Sequence, residues 1–349
     1  MSAVVVVGAG IVGASVAYHL ASRGVEVTLL EQGPAPATGV TGGSFAWVGE
    51  AGRDWPGGAQ DLREYVLGDY RRLEAELPQV SVRRTGSLHW GGDPMHASRL
   101  GPGRFHVGRS DIAALEPHLR NPPDQAVHIP SDTGVDAPAV TRALVAGAVA
   151  QGATVLYESA VASLHMSGAH VGGVVTSTGL HTATTVVLTA GTDIPQLGAP
   201  LPVDLPIGAS PATLAWVTAP PGLVKTIVAV PDLEVREVRD GDLLLTLPYD
   251  EDRPAPVEQV ADDGLRRLRR AFRGSDECRL QGCRTSSRPM PAHGPLIGYA
   301  TPDRSVYVAV MHPGVTLAPT VGRLVADELV TGRPAPELRR CRPRTPGGT

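Results

Sequence analysis

The chain is 349 residues long, 42% hydrophobic and 19% charged, which is the composition of a globular protein with room for two domains rather than of a disordered chain. A net charge of −4 and a pI near 6.3 argue against nucleic acid or an anionic membrane as a general partner. Cys278, Cys283 and Cys341 form neither a CxxC pair nor an even framework, so no disulfide or zinc site is expected, and a reducing, cytoplasmic location is.

Val4 to Val7 is a β-branched run suited to a buried parallel strand, and Ile11 to Ser22 repeats its apolar residues at helical spacing up to a stop at Gly24. No basic segment precedes this run, and Gly8, Gly10, Gly13, Ser15 and His19 interrupt it, so neither a secretory signal nor a membrane span is expected. Val25 to Leu30 reads as the next strand and Gly33 to Gly43 as a loop; Leu62 to Leu77 reads as an amphipathic helix. Val82 to Leu119 mixes short strands, a Gly-rich turn and a short helix at Asp111 to Leu115. Pro138 to Gln151 reads as a helix, followed by strands at Thr154 to Tyr157, Val171 to Thr176 and Thr185 to Thr189. Strand patterns broken by Pro and Gly from Leu205 to Leu247 predict a largely antiparallel sheet. Leu265 to Phe272 reads as a solvated basic helix, its Arg266, Arg267, Arg269 and Arg270 forming a surface face rather than a binding patch. Val306 to Val310 is the last strand, Thr316 to Leu329 the last helix, and the Pro- and Arg-rich tail beyond Gly332 is expected to fray.

The opening segment VVVVGAGIVGASVAYHLASRGVEVTLLEQG places Gly8, Gly10 and Gly13 as GxGxxG between a strand and a helix. Gly8 permits the tight turn, Gly10 admits a pyrophosphate to the backbone, and Gly13 lets the helix approach the strand. The diphosphate would sit on the N–H groups of the helix start, at Ile11 and Val12. Glu31 ends the second strand 18 residues past Gly13, beside Gln32, where its carboxylate can accept ribose hydroxyls and would repel a 2′-phosphate. This unit alone does not separate FAD from NAD.

From Val4 to about Leu329 the chain resembles the FAD-dependent amino-acid oxidase superfamily, which includes D-amino-acid oxidase, glycine oxidase and monomeric sarcosine oxidase. The resemblance rests on five segments in order: the fingerprint; Thr41-Gly42-Gly43-Ser44; Asp132-Thr133-Gly134 through Asp136-Ala137-Pro138, with the strand pair around Val161; Val186 to Thr192; and Arg288-Pro289-Met290-Pro291, Pro295 to Gly298 and Met311 to Pro319. It implies an α/β fold, with a Rossmann-type FAD-binding domain and a second α+β domain built on a large, mostly antiparallel sheet. The expected division is 1–80, 132–200 and 286–335 for FAD, 81–131 and 201–285 for substrate, and 336–349 as a flexible tail. By resemblance, Thr41 to Ser44 touch the diphosphate and ring, the Val161 backbone faces the adenine, and Ala190-Gly191 pass close to the cofactor. The loop and helix start at Gly314, Val315, Thr316 and Leu317 lie against the flavin; independently, exposed N–H groups at such a helix start can stabilise negative charge on a reduced ring.

The chain departs from the resemblance at Ala292-His293-Gly294, where the family often carries an acid and one more residue. Monomeric sarcosine oxidase attaches its flavin through a cysteine near this region; Arg288 falls at about that place here, and Cys283, five residues earlier, reads as a small core residue, so FAD is expected to be non-covalent. With no second GxGxxG unit, the substrate itself is expected to reduce the flavin, and oxygen or another acceptor to reoxidise it. Arg288 matches the family position for holding a substrate carboxylate, against a structural ion pair. His312 orients substrate or is satisfied by backbone. Trp47 lines the pocket or is a buried core residue, Tyr249 follows a strand and is a candidate to cap a pocket, and His293 is a candidate to face the site. The implied reaction is hydride transfer from a neutral small amine or amino acid, leaving an imine for water to hydrolyse. The alternatives are a same-fold dehydrogenase using a quinone or protein acceptor, a flavin-binding subunit with little activity of its own, or an NAD-dependent dehydrogenase.

Overall fold

The structure is a computed structural model that describes residues 3–49, 57–91, 103–168, 170–249 and 255–344. The opening strand Ala3–Val7 lies inside a six-stranded sheet in the order Leu296–Tyr299, Val306–Val310, Thr185–Leu188, Ala3–Val7, Glu26–Leu30, Thr154–Leu156. All neighbours run parallel except Leu296–Tyr299. Both faces are covered: Val4 and Val6 enter the core under the helices, whereas Val5 and Val7 enter a second core. That two-sided burial is why the strand reads as an unbroken apolar run. The helices Ile11–Ala21, Ala59–Glu76, Ala137–Ala150 and Gly314–Thr331 contribute to the first core. An antiparallel meander of Val161–Ser167, His170–Thr176 and Gly179–Thr182 supplies part of the second.

The second large sheet has eight strands, in the order Arg279–Pro291, Ile207–Thr218, Asp242–Leu247, Leu233–Arg239, Ile227–Val230, Ser87–His89, Gln125–Ile129, Phe105–Gly108. It is antiparallel apart from the junction of Ile227–Val230 with Ser87–His89. One face, carrying Ala215, Val217, Val235, Leu243, Leu245 and Leu247, packs on the helix Val257–Ala271. Trp47–Val48, Thr133–Val135 and Val82–Arg83 form a small three-stranded sheet.

Three expectations need correction. The basic helix is longer than its arginines, spanning Val257–Ala271; it is amphipathic rather than solvated, because Ala261, Gly264, Leu265 and Leu268 are buried. The tail is anchored over 336–344 and not frayed: Pro336–Cys341 form a short 3-10 helix, Leu338 and Cys341 are buried, and Arg342 pairs with buried Glu328. The expected boundary at 285/286 falls inside Arg279–Pro291, which pairs with Ile207–Thr218 along its whole length. Pro289 and Pro291 are tolerated there because the strand is an edge and needs no outward N–H.

Candidate functional site

The glycine turn follows from sterics. Gly8 has φ +100°, a conformation in which a side chain is strained, and its N–H donates to Leu30 O at 2.7 Å. A Cβ on Gly13 would lie 1.9 Å from the Gly8 carbonyl oxygen, so only glycine lets helix Ile11–Ala21 sit this close to the strand end. Thr189 closes the turn from the next strand by donating to Val7 O at 2.7 Å, which brings Ala190 within van der Waals reach of Gly8. Gly191, with φ +61°, follows on this side of the turn.

The Thr41–Ser44 segment folds onto the same turn: Ile11 N–H donates to Thr41 Oγ1 at 3.1 Å, and a Cβ on Gly10 would stand 3.3 Å from that oxygen. Glu31 is buried, accepting Ala9 N–H at 2.7 Å and Gly33 N–H at 2.8 Å. The Thr38 hydroxyl lies at 3.5 Å as a third donor; a carboxylate has about four lone-pair sites, so room remains for one more. Gln32 beside it is exposed. Ser159 N–H donates to Glu31 O at 2.8 Å, which draws the approach to Val161 against this corner; Val161 is half-buried and pairs with Thr176.

The helix Gly314–Thr331 abuts the first helix at its start. A Cβ on Gly314 would meet Val12 Cγ2 at 3.9 Å, and Ser15 donates to Ala318 O at 2.8 Å. Tyr70 donates to Val315 O at 2.6 Å and Thr316 to Trp47 O at 3.0 Å; Leu317 is buried. Two helix N-termini therefore converge with the Thr41 loop and the Thr189–Gly191 strand end around one glycine-lined cradle. The donor set, a turn stripped of side chains in front of first-turn N–H groups, fits a dinucleotide diphosphate. Buried Arg236 locks the loop by donating to Phe45 O and Val135 O, both at 2.6 Å; burial pushes its pKa down to about 9.

Strand Arg279–Pro291 passes alongside. Its register pairs Leu214 with Arg284, Ala212 with Ser286 and Ser210 with Arg288, on the face opposite the residues that meet the helix. Arg284 donates to Thr38 O at 3.2 Å and Gly39 O at 2.7 Å, and a Cβ on Gly43 would lie 3.0 Å from its Nη2 and 2.6 Å from Ser286 Oγ. Neither Arg284 nor Ser286 was anticipated; both follow from Arg288 by alternation once this segment is known to be a strand. Arg288 is half-buried and spends two of its five donors on Ser210, at Oγ (2.8 Å) and O (3.4 Å). Tyr249 is exposed; the Thr213–Leu247 register, continued two residues, sets it beside Pro211. His293 is exposed on the turn Pro291–Gly294.

His312 ends the loop before the cradle helix. Burial first, then the charges of Arg288 and Arg63, push its pKa down to about 4, so it is a neutral imidazole at neutral pH. Arg63 is buried on helix Ala59–Glu76 and donates to Gly49 O at 3.3 Å; burial lowers its pKa to about 10, against the nearby Asp132 charge. Trp47 is half-buried with its ring 5.1 Å from the His89 ring. Cys283 takes the opposite face of the strand from Arg284, toward the helix core. Among the described residues no group of three metal-ligating side chains and no helix long and apolar enough to cross a membrane is present.

The sequence matches the family described as DAO, FAD dependent oxidoreductase, over residues 3–328. It is similar to a D-amino acid dehydrogenase of Paramagnetospirillum magneticum, 29% identical over 95% of this chain and 96% of that protein. It is also similar to a glycine oxidase of Bacillus licheniformis, 25% identical over 95% and 93%. The fold superposes on the crystal structure of glycine oxidase from Geobacillus kaustophilus with a TM-score of 0.87 at 21% identity, covering 100% of both chains.

Proposed function

Since the chain belongs to the DAO family of FAD dependent oxidoreductases, we propose that it oxidises a small amine or amino acid to an imine and passes the electrons to oxygen. The observation that carries this reading is Arg288, half-buried beside the cradle with three guanidinium donors unspent. That fork suits a carboxylate held bidentately. The names of the relatives, a D-amino acid dehydrogenase and a glycine oxidase, support an amino-acid substrate.

FAD bound in the cradle supplies the hydride acceptor. With Ile11 N–H engaged by Thr41 Oγ1, the N–H group of Val12 and the open Gly10 turn would hold its diphosphate, Glu31 its ribose, and the Gly314–Leu317 helix start its ring. Arg288 orients the substrate carboxylate. Neutral His312 accepts or donates a hydrogen bond without adding a charge that would compete with Arg288 for that carboxylate. Cys283, turned toward the helix core, supports non-covalent FAD. The test is anaerobic bleaching of the bound flavin across glycine, sarcosine, proline and D-amino acids, then readmission of oxygen. Bleaching followed by hydrogen peroxide is expected. Bleaching that only a quinone or protein acceptor reverses makes the enzyme a dehydrogenase, the second reading, which the name of the dehydrogenase relative favours. No bleaching by any amine would leave a flavin-binding subunit.

A further inference from the structure

The strand Leu233–Arg239 sends one cation out of the eight-stranded sheet and into the cofactor loop. Val235 faces the helix core, so Arg236 projects from the opposite side of the strand. Its Nε donates to Phe45 O and its Nη2 to Val135 O, both at 2.6 Å, and its Cζ lies 5.4 Å from the centre of the Phe45 ring. The residue is 1% exposed, yet Nη1 is buried with no hydrogen-bond partner. It packs on Gly134, where a Cβ would stand 2.6 Å from it. Asp136, whose charge favours the cation, is committed elsewhere. It accepts Ala139 N–H at 3.0 Å as the cap of helix Ala137–Ala150 and meets Arg239 Nε at 3.3 Å. Arg83 sets a like charge against Arg236.

A guanidinium held by two neutral carbonyls, with no carboxylate bonded to it, is a burden on the fold, because a buried charge loses its hydration. What it grips is strained as well. Ala46 is 4% exposed and has φ +55°, a left-handed conformation disfavoured for a residue with a Cβ. Arg236 holds Phe45 O on one side of it; Ala46 O accepts Val135 N–H at 3.2 Å, and Val135 O returns to Arg236. The circuit closes around the strained residue. Ala46 N–H also donates to Ser44 Oγ at 3.2 Å, so the same turn fixes the Ser44 hydroxyl. At the other end of the loop Thr41 Oγ1 accepts Ile11 N–H. Both hydroxyls are filled as acceptors, and among the described residues neither gives its hydrogen to an acceptor. Two donors are thus left on the loop that folds onto the glycine turn.

We propose that Arg236 is a positioning residue for the cofactor: from the second sheet it holds the Ser44–Ala46 turn in the strained conformation that presents the Ser44 hydroxyl to FAD. The inference rests on the cofactor and is independent of the substrate. A buried cation without a bonded anion and a left-handed alanine persist together because the loop they fix binds something. Gly134 is glycine because Nη1 occupies the space of its side chain. The affinity for FAD therefore depends on a side chain that acts only through the loop, and that comes from the sheet carrying Arg288.

The experiment titrates the full chain, freed of flavin, with FAD and separately with ADP, which has the diphosphate and adenosine but no flavin. Arg236→Met should raise the Kd for FAD roughly tenfold or more, while the Kd for ADP stays within about twofold. Retained ADP binding shows that the glycine turn and Glu31 are intact. Arg236→Lys keeps the charge without the fork and should fall between the two. Ala46→Gly alone should leave the FAD Kd near the wild-type value, because glycine adopts the left-handed conformation freely. Added to Arg236→Met, it should recover about threefold of the lost affinity or more, since the turn then needs less holding. An unchanged FAD Kd in Arg236→Met overturns the proposal. So does a loss in which FAD and ADP weaken equally in Arg236→Lys, or an Ala46→Gly change that recovers nothing. Should Arg236→Met bind neither probe, Arg236→Lys with and without Ala46→Gly decides between the same outcomes. A wild type that takes up neither FAD nor ADP sinks the cofactor assignment and this role together, whereas normal FAD binding that ignores Arg236 sinks this role alone.

Discussion

The glycine cradle and the strand that passes over it are made of different material. The cradle is backbone: a Gly8 turn, a Gly13 contact that admits no side chain, and helix starts that offer N–H groups. The covering strand works through side chains spaced two apart, Arg284, Ser286 and Arg288, whose meaning depends on register with Ile207–Thr218. A backbone site tolerates almost no substitution, and its chemistry is generic to any dinucleotide. A side-chain site tolerates change more readily, and it sets which molecule is chosen. Damage to the cradle should therefore abolish cofactor binding outright, whereas damage to the cover should be graded and substrate-selective.

The largest expected effect is at Gly13. A branched side chain there enters the space where even a Cβ stands 1.9 Å from Gly8 O. Gly13→Val should give protein with no bound flavin and a lowered Tm, read from absorbance near 450 nm and thermal unfolding. A yellow Gly13→Val protein of normal Tm would remove the sterics on which the cradle side of the contrast depends.

Arg288→Leu comes next. Hydrogen bonds to charged groups contribute about 1.5–3 kcal/mol, so the apparent KM for a carboxylate-bearing amine should rise roughly 10- to 100-fold. Flavin content should hold, and amines lacking a carboxylate should be spared. An unchanged KM would take Arg288 out of the substrate's reach.

Acid should act on buried histidines in both regions. His19, 3% exposed in the helix layer behind the cradle, has its pKa pushed down to about 3 by burial and then by Arg72, Arg23 and Arg323; His312, in the loop that opens the cradle helix, falls to about 4. Both lie below the unfolded value near 6.5. The unfolded chain thus binds more protons as pH falls below 6.5, and stability declines from there toward the folded values. For one full proton the loss between pH 6.5 and 5 is about 2 kcal/mol. Asp132 opposes this: raised to about 6, it contributes stability that is present at low pH and lost as pH rises through 6. Denaturant unfolding of His19→Gln against pH should show a shallower acid slope than the wild type. An identical slope would mean that His19 is protonated in the fold.

How much of this was legible in the sequence follows the same division. Gly8, Gly10, Gly13 and Glu31 stand out because no other residue satisfies a tight turn, a close helix and a ribose partner at those spacings. The strand Arg279–Pro291 was invisible as a strand: it has few β-branched residues and two prolines, and only its position at a sheet edge makes them acceptable. Without the strand, Arg284 and Ser286 carry no signal. Arg63 and Asp132 approach from a helix and a turn 69 residues apart in sequence, and no local pattern predicts a meeting at that separation. The tail misled for the opposite reason: its Pro and Arg content speaks of solvent, yet Leu338, Cys341 and the Arg342–Glu328 pair hold it in place.

The smallest effect expected is at Arg284, and it tests whether cradle and cover are separable at all. Its guanidinium bonds two carbonyls of the loop carrying Thr41 and lies against Gly42 and Gly43. It is a cover residue by origin and a cradle residue by contact. Arg284→Met frees Thr38 O and Gly39 O to solvent, which is cheap because both residues are exposed. It also removes a cation beside a site fitted to an anionic cofactor, an effect weakened by screening at this half-exposed position. The Kd for FAD should rise about three- to tenfold, on the scale of about 1 kcal/mol for such a partly screened charge, and the rise should shrink at high salt. Arg284→Lys, which keeps the charge and loses the fork, should recover most of the affinity if charge dominates and little if loop bracing does. An unchanged Kd in Arg284→Met at low salt would show that the cradle holds its cofactor by backbone alone.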